Sequence, residues 1–248
     1  MNEEKFHDDF YNGAVDKIFS SSLYQLLLND QRDFLFNHSK GCQNGAILSV
    51  ACGDGVRELG LSDRVHSLVG IDISAVAIDK ARSAAQKSNI DHFKFVVADA
   101  RSLENYQEHF DTIWCCGFLH HLTEDVYTEQ FNSLWRALKH GGRLITSDPN
   151  ALRLVNVFKV FFRKKYNAFH SPDERELKPG DVVMQFKKAQ FENIQVSYSN
   201  FFISPLAWLF PKIPKSVATV LFYFDRLLTR IPLFNRLSSG CFVVGEKK

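Results

Sequence analysis

From Ala46 onward, short apolar runs alternate with stretches whose apolar positions recur every three or four residues. "AILSVA" (46–51), "HSLVGI" (66–71), "FKFVVA" (93–98), "FDTIWCC" (110–116) and "RLITS" (143–147) have the length and composition of buried strands. Residues 56–62, 75–87 and 125–139 carry helical periodicity, whereas the link at 99–109 has no clear period. Strands alternating with helices predict a parallel sheet covered on both faces, a doubly wound α/β domain. Ahead of it, residues 5–38 read as helices. There "SSLYQLLLNDQRDFLFNHS" places Leu23, Leu26, Leu27, Phe34 and Leu35 on one broad face, and "SKGCQNG" ends the run. A sixth strand is expected at "NIQVSYS" (193–199).

The first strand runs into a turn, "ILSVACGDGVREL" (47–59), where Gly53 and Gly55 bracket Asp54 before a helix begins. In open parallel sheets ligands bind beyond the carboxyl ends of the strands, so this turn is the expected cofactor corner. A dinucleotide fingerprint places a third glycine at position 58. Glu58 stands there, and a carboxylate beside a pyrophosphate is repulsive. No Lys-Ser/Thr pair follows, which removes a Walker phosphate loop. The second strand ends at Asp72, seventeen residues past Gly55, where a carboxylate can accept bonds from two vicinal ribose hydroxyls. Asp99 ends the third strand, where it can meet an adenine amino group. The three strand tips together suit an adenosine without phosphates. Each has a plainer reading: Gly53 and Gly55 as turn glycines, Asp72 as a helix cap (Ser74 suits that place better), and Asp99 as a cap for the next turn.

"ILSVACGDG", "VGIDIS", "VVADA", "FDTIWCCGFLHHL" and "LWRALKHGGRLITSDPN" resemble the successive motifs of class I S-adenosylmethionine-dependent methyltransferases, over roughly residues 45–150. The resemblance implies a Rossmann-like seven-stranded sheet whose last strand is antiparallel, a part that "CFVVGEKK" (241–248) can fill. It implies S-adenosyl-L-methionine as cofactor, S-adenosyl-L-homocysteine as product, and cofactor contacts at Ala51, Gly53, Asp54, Gly55, Asp72, Ile73, Asp99 and Ala100, the last through its backbone amide. Two positions depart from the family. Ser49 stands where an acidic residue is common, and Ala51 where a glycine is. Asp54 or a residue of the N-terminal helix is then expected to make up for the lost carboxylate. By the family's layout, His120 and His121 face the transferred methyl group and the acceptor, as catalytic base or as rings that hold the loop. Asp148 and Asn150 in "SDPN" point toward the acceptor, and His170 is a further candidate with an ordinary surface role as the alternative.

Composition changes this picture little. Thirty basic against 28 acidic residues leave a net charge of +2, too small to imply nucleic acid, and no Asn/Asp-Pro-Pro-aromatic motif follows the fourth strand. Cysteines 42, 52, 115, 116 and 241 form no C-x-x-C pair and are odd in number, so free thiols and no metal site are expected, with packing roles for Cys52, Cys115 and Cys116. The start "MNEEKFHDDF" is acidic and polar, unlike a secretory signal, so a cytoplasmic protein is expected. Residues 1–44 then form a helical cap, closing over the site with Phe6, Phe10 and Tyr11, and residues 45–248 form the methyltransferase domain.

From Ala151 the character shifts. A basic cluster stands at Arg163, Lys164 and Lys165, and residues 200–239 carry five Lys/Arg against one Asp among many aromatics. This stretch interrupts the place of a hairpin in the family. It reads as a lid, a homodimer surface or a segment lying on anionic lipid, but not as a membrane span. The tail is similar to methyltransferases of polysaccharide and glycolipid assembly, and more loosely to quinone and sterol methyltransferases. An O-directed enzyme acting on a glycan, glycolipid, lipid-linked or other lipophilic small molecule is therefore expected. An N- or C-methyltransferase and a non-catalytic binding scaffold are the alternatives.

Overall fold

The computed structural model describes residues 8, 11, 19–158 and 175–248. The seven strands are β1 (Ile47–Val50), β2 (Leu68–Asp72), β3 (Phe93–Val97), β4 (Phe110–Cys116), β5 (Leu138–Pro149), β6 (Phe191–Ser199) and β7 (Gly240–Lys247). They form one sheet in the order β3-β2-β1-β4-β5-β7-β6. The first five strands pair in parallel, while β7 runs antiparallel to both β5 and β6. The order reverses at β1, between β2 and β4, which makes the ends of these strands the topological switch point.

The helices are α1 (Ser22–His38), α2 (Val56–Leu59), α3 (Ala75–Lys87), α4 (Glu124–Ala137), α5 (Pro179–Lys188), α6 (Ile203–Leu209) and α7 (Lys215–Leu228). The helix expected at 56–62 is a single turn, and 99–109 contains no helix. Successive strand residues feed opposite cores, as a pleated strand requires. Ile113 and Cys115 pack with Leu48, Phe131 and Phe186 on one face, and Trp114 and Cys116 with Ile47, Ile78 and Phe95 on the other. The five cysteines are free and buried.

Residues 200–239 leave and rejoin the sheet at one point. Ser199 pairs with Gly240, and the Ser239 N–H donates to the Asn200 carbonyl at 2.6 Å. In between, Ile203, Ala207, Ala218 and Phe222 of α6 and α7 pack on Leu23 and Leu27 of α1. The N-cap of α6, Phe202, has no capping side chain; Asn200 Oδ1 accepts the Ser204 N–H at 3.2 Å, and Asp225 of α7 takes the amides before it. Its buried carboxylate accepts the Phe201 N–H at 3.0 Å and the Phe202 N–H at 2.9 Å. Burial pushes this carboxyl above its ordinary range, with the backbone donors opposing that shift. The basic cluster at 163–165 lies outside the described residues, and among the described residues no helix is long and apolar enough to cross a membrane.

Removing a buried acceptor leaves its donors unsatisfied. Asp225→Ala is therefore expected to cost roughly 1–3 kcal/mol in urea unfolding. An unchanged midpoint would contradict the capping role.

Candidate functional site

Beyond β1 the chain turns sharply, with positive φ at Ala51 (53°), Gly53 (57°) and Gly55 (69°). The last ladder bond to β2 is Cys52 N–H to the Ile71 carbonyl at 3.0 Å, and Gly55 N–H then closes onto the Cys52 carbonyl at 3.1 Å. Gly53 and Gly55 are required by space as well as by φ. A Cβ at Gly53 would run into the Tyr11 hydroxyl, and one at Gly55 would sit 2.9 Å from the Phe95 ring. The Asp72 carboxylate fixes the turn from across the switch point. Oδ2 accepts the Gly53 N–H at 2.8 Å, and Oδ1 accepts the Ser74 N–H at 2.9 Å. Each oxygen keeps a lone pair for a further donor. Ser74 caps α3 by accepting the Ala77 N–H, so Asp72 is not needed as the helix cap.

A cleft of about 410 Å³ opens at these strand ends, within the range of about 300–1,000 Å³ usual for small-molecule and cofactor sites. Ala51, Asp54, Asp72, Ile73, Asp99 and Ala100 line it, whereas Gly53 and Gly55 do not. Asp54 accepts the Val56 N–H at 3.3 Å, and the Ala100 carbonyl is held by the Gln130 amide at 2.8 Å. Asp99 is engaged by Arg101, whose Nε and Nη2 donate to its carboxylate at 3.0 and 2.6 Å. Those bonds hold Asp99 below the usual carboxylate range.

Tyr11 and Tyr24 also line the cleft. Lys80 Nζ donates to the Tyr11 carbonyl, and the Ser74 hydroxyl donates to Asp8, so both described residues of the N-terminal segment lie against the β2–α3 corner. Burial pushes the Tyr11 phenol up, reinforced by Asp72 and Asp54. Phe6 and Phe10 lie outside the described residues.

The missing carboxylate at Ser49 has a replacement that sequence reasoning did not find. The Ser49 hydroxyl donates to Glu58 Oε1 at 2.6 Å, so a fully buried carboxylate reaches the end of β1 from α2. Burial pushes the Glu58 carboxyl up, while Arg57 and Ser49 pull it down. Arg57 lines the cleft 3.7 Å from Glu58, and its buried Nε has no hydrogen-bond partner among the described residues. α2 is too short to satisfy its own last carbonyls. Arg32 of α1 donates to those of Val56 and Arg57 at 2.5 and 3.2 Å and so orients the turn that carries both charges.

The two histidines separate. They lie on a 3₁₀ turn, Leu119–His121, with ring centroids 4.1 Å apart. His121 lines the cleft beside Gly117, Phe118 and Leu122, but His120 does not. The His120 ring Nδ1 donates instead to Asp148 Oδ1 at 2.8 Å, and its carbonyl accepts the Arg175 N–H. Burial raises the Asp148 carboxyl, against the pull of His120.

This corrects part of the expected acceptor side. Asp148 is buried against His120 and does not line the cleft, because β5 runs on to Pro149 and pairs with β7 there. Asn150 is fully buried, and its amide donates to the Arg236 and Ser238 carbonyls at 2.8 Å. It is a clasp on the insertion, not an acceptor contact. His170 lies outside the described residues. Among the described residues, no group of acidic, histidine and cysteine side chains could hold a metal ion.

A glycine turn fixed by a strand-end carboxylate stands at the switch point of this sheet order, beside a cleft of cofactor size. Residues 47–142 match the family model of a methyltransferase domain. The chain is 28% identical over 140 residues to the 2-heptyl-1-hydroxyquinolin-4(1H)-one methyltransferase of Mycobacteroides abscessus, covering 56% of this chain and 58% of that one. It is 25% identical over 118 residues to a ubiquinone biosynthesis O-methyltransferase of Alkalilimnicola ehrlichii, covering 48% of this chain and 47% of that one. The chain thus spans about half the length of the curated relatives it matches. Its fold is similar to a SAM-dependent methyltransferase of Archaeoglobus fulgidus, with a TM-score of 0.62 and 16% identity over 99% of this chain and all of that one. Residues 47–142 thus form a methyltransferase domain, on a fold shared with that solved S-adenosylmethionine-dependent methyltransferase. S-adenosylmethionine is the cofactor of that domain.

The left-handed conformation of Ala51 costs roughly 1–2 kcal/mol relative to a right-handed one, and glycine escapes it. Ala51→Gly is expected to raise unfolding stability by about 1 kcal/mol. A loss of stability would show that the Ala51 methyl group contributes more than the strain it bears.

Proposed function

We propose that this chain transfers a methyl group from S-adenosylmethionine to a hydroxyl of a lipophilic, glycan or lipid-linked small molecule. The observation that carries the reading is the make-up of a single cleft. It collects a backbone-anchored carboxylate (Asp72), a half-buried guanidinium whose Nε has no partner among the described residues (Arg57) and an imidazole (His121) at the ends of parallel strands.

These groups fit the two ends of the cofactor. The free lone pairs of Asp72 accept the ribose hydroxyls, and the Arg57 Nε donates to the carboxylate of the methionine portion. Ala51, Asp54 and Ile73 form the wall of the cleft, while Gly53 and Gly55, which do not line it, shape the turn behind it. Asp99 and the Ala100 backbone amide meet the adenine, and Asp99 does so while still tied to Arg101. Glu58 balances Arg57 and places negative charge near the methionine ammonium. The cofactor supplies a methyl group already activated by its sulfonium, so alignment accounts for much of the rate.

His121 accepts the proton of the acceptor hydroxyl, a role suited to an imidazole near neutral pH. His120, held by Asp148, braces the His121 ring as a positioning residue. Apolar side chains around the acceptor end, among them Phe118, Leu122 and Val126, favour a lipophilic acceptor. The two relatives are named for a heptyl-bearing hydroxyquinolinone and for ubiquinone biosynthesis, which agrees with that polarity.

Calorimetry with S-adenosylhomocysteine tests the cofactor half. Asp72→Ala is expected to abolish binding and Arg57→Ala to weaken it at least tenfold, which is about 1.4 kcal/mol. Wild-type affinity in both variants would overturn the assignment. A labelled-methyl assay on lipid and glycan extracts tests the acceptor half. His121→Ala is expected to lower kcat by about 10²-fold or more, with unchanged cofactor affinity. Full turnover by that variant would exclude the histidine base and favour transfer to nitrogen or carbon.

A further inference from the structure

One face of α7 is unaccounted for by the packing of the insertion. Successive helix positions turn by about 100°. Ala218, Phe222 and Asp225 therefore share one side of α7, and all three are buried toward α1 and α6. Val217, Val220, Tyr223, Phe224 and Leu227 fall on the opposite side in an unbroken stripe, with Val220 69% and Phe224 54% exposed. Leu233 just beyond the helix is 72% exposed. An amphipathic helix with a buried apolar face normally turns polar residues outward. α7 turns a second apolar face outward, with the rings and aliphatic groups of an interaction surface.

The charges around the stripe are of one sign. Residues 200–239 contain Lys212, Lys215, Arg226, Arg230 and Arg236 against a single acid, Asp225, for a local charge of 5 − 1 = +4. Asp225 is buried and occupied with the start of α6, whereas all five basic residues are exposed. Arg226 pairs with Asp30 at 3.3 Å. Lys212 and Lys215 stand at one end of the stripe, and Arg230 and Arg236 lie beyond the other.

We infer that this surface docks the protein on an anionic lipid surface, with Val220, Tyr223, Phe224 and Leu227 entering the headgroup boundary and the flanking basic residues meeting phosphate groups. An apolar stripe flanked by Lys and Arg is the arrangement of interfacial helices. The same charges disfavour a second copy of the chain, since a two-fold pairing of this stripe would bring basic ends together. The surface also lies close to the cleft. Leu23 and Leu27 of α1 pack under α6 and α7, while Tyr24 between them lines the cleft. Docking therefore brings the cleft to the phase where a lipophilic acceptor is dissolved. The acceptor reading rests on the proposed function, but the docking does not.

Co-sedimentation of the full chain with phosphatidylglycerol/phosphatidylcholine vesicles, and with phosphatidylcholine vesicles alone, tests the inference. Partition onto the anionic vesicles is expected, falling steeply with added salt. Val220→Ser/Phe224→Ser/Leu227→Ser is expected to lower it at least tenfold with unchanged thermal midpoint and S-adenosylhomocysteine affinity. Lys212→Glu/Arg230→Glu is expected to lower it comparably while leaving the apolar stripe intact. No partition of the wild type, or undiminished partition of both variants, overturns the inference. So does a dimer in sedimentation velocity that the triple variant makes monomeric, because it assigns the face to a second copy.

Discussion

The Asp72 carboxylate joins two turns that would otherwise be independent. One oxygen holds the Gly53 N–H after β1, and the other holds the Ser74 N–H at the start of α3. The left-handed path from Ala51 to Gly55 points backbone groups into space beyond the sheet, where strand pairing cannot satisfy them. A buried carboxylate with a donor on each oxygen satisfies one group from each side and sets the distance between the turns. The position of α2, and hence of Arg57 and Glu58, follows from that turn. Tyr11 can lie against Gly53 only because the turn offers no side chain there.

Much of this corner was legible from the sequence because its signals are local. A glycine-flanked turn after an apolar run, a carboxylate ending the next strand and another ending the third are each set by backbone geometry. Their separations along the chain survive folding unchanged. The alternation of strands and helices carried the parallel part of the sheet in the same way, while the antiparallel last strand was implied by the family resemblance alone. Single-turn detail was lost: "VREL" has helical composition, but Gly60 and the Arg32 contacts end α2 after four residues.

Charges that act across distance in sequence were not legible. Glu58 was legible only as a carboxylate that excludes a pyrophosphate, and Arg57 carried no signal at all. Glu58 is buried and Arg57 half-buried: Arg32, 25 residues earlier, covers the Val56 and Arg57 carbonyls, and Ser49 offers Glu58 a hydroxyl from β1. The acidic position lost from the strand is met from the following helix. The two adjacent histidines carried no sequence signal to separate them. A 3₁₀ turn places one toward Asp148 and the other toward the cleft. Asp148 and Asn150 misled for a related reason. Both follow a strand end in the motif, but β7 returns beside them and takes them into the sheet and the clasp of the insertion.

The central claim is that one carboxylate both builds the turn and holds the cofactor. A crystal structure of the chain with S-adenosylhomocysteine tests it most directly. The account predicts both ribose hydroxyls on Asp72, with its bonds to Gly53 and Ser74 intact, and the homocysteine carboxylate at the Arg57 Nε. A ligand whose ribose lies away from Asp72, or whose carboxylate is held elsewhere than by Arg57, would contradict it.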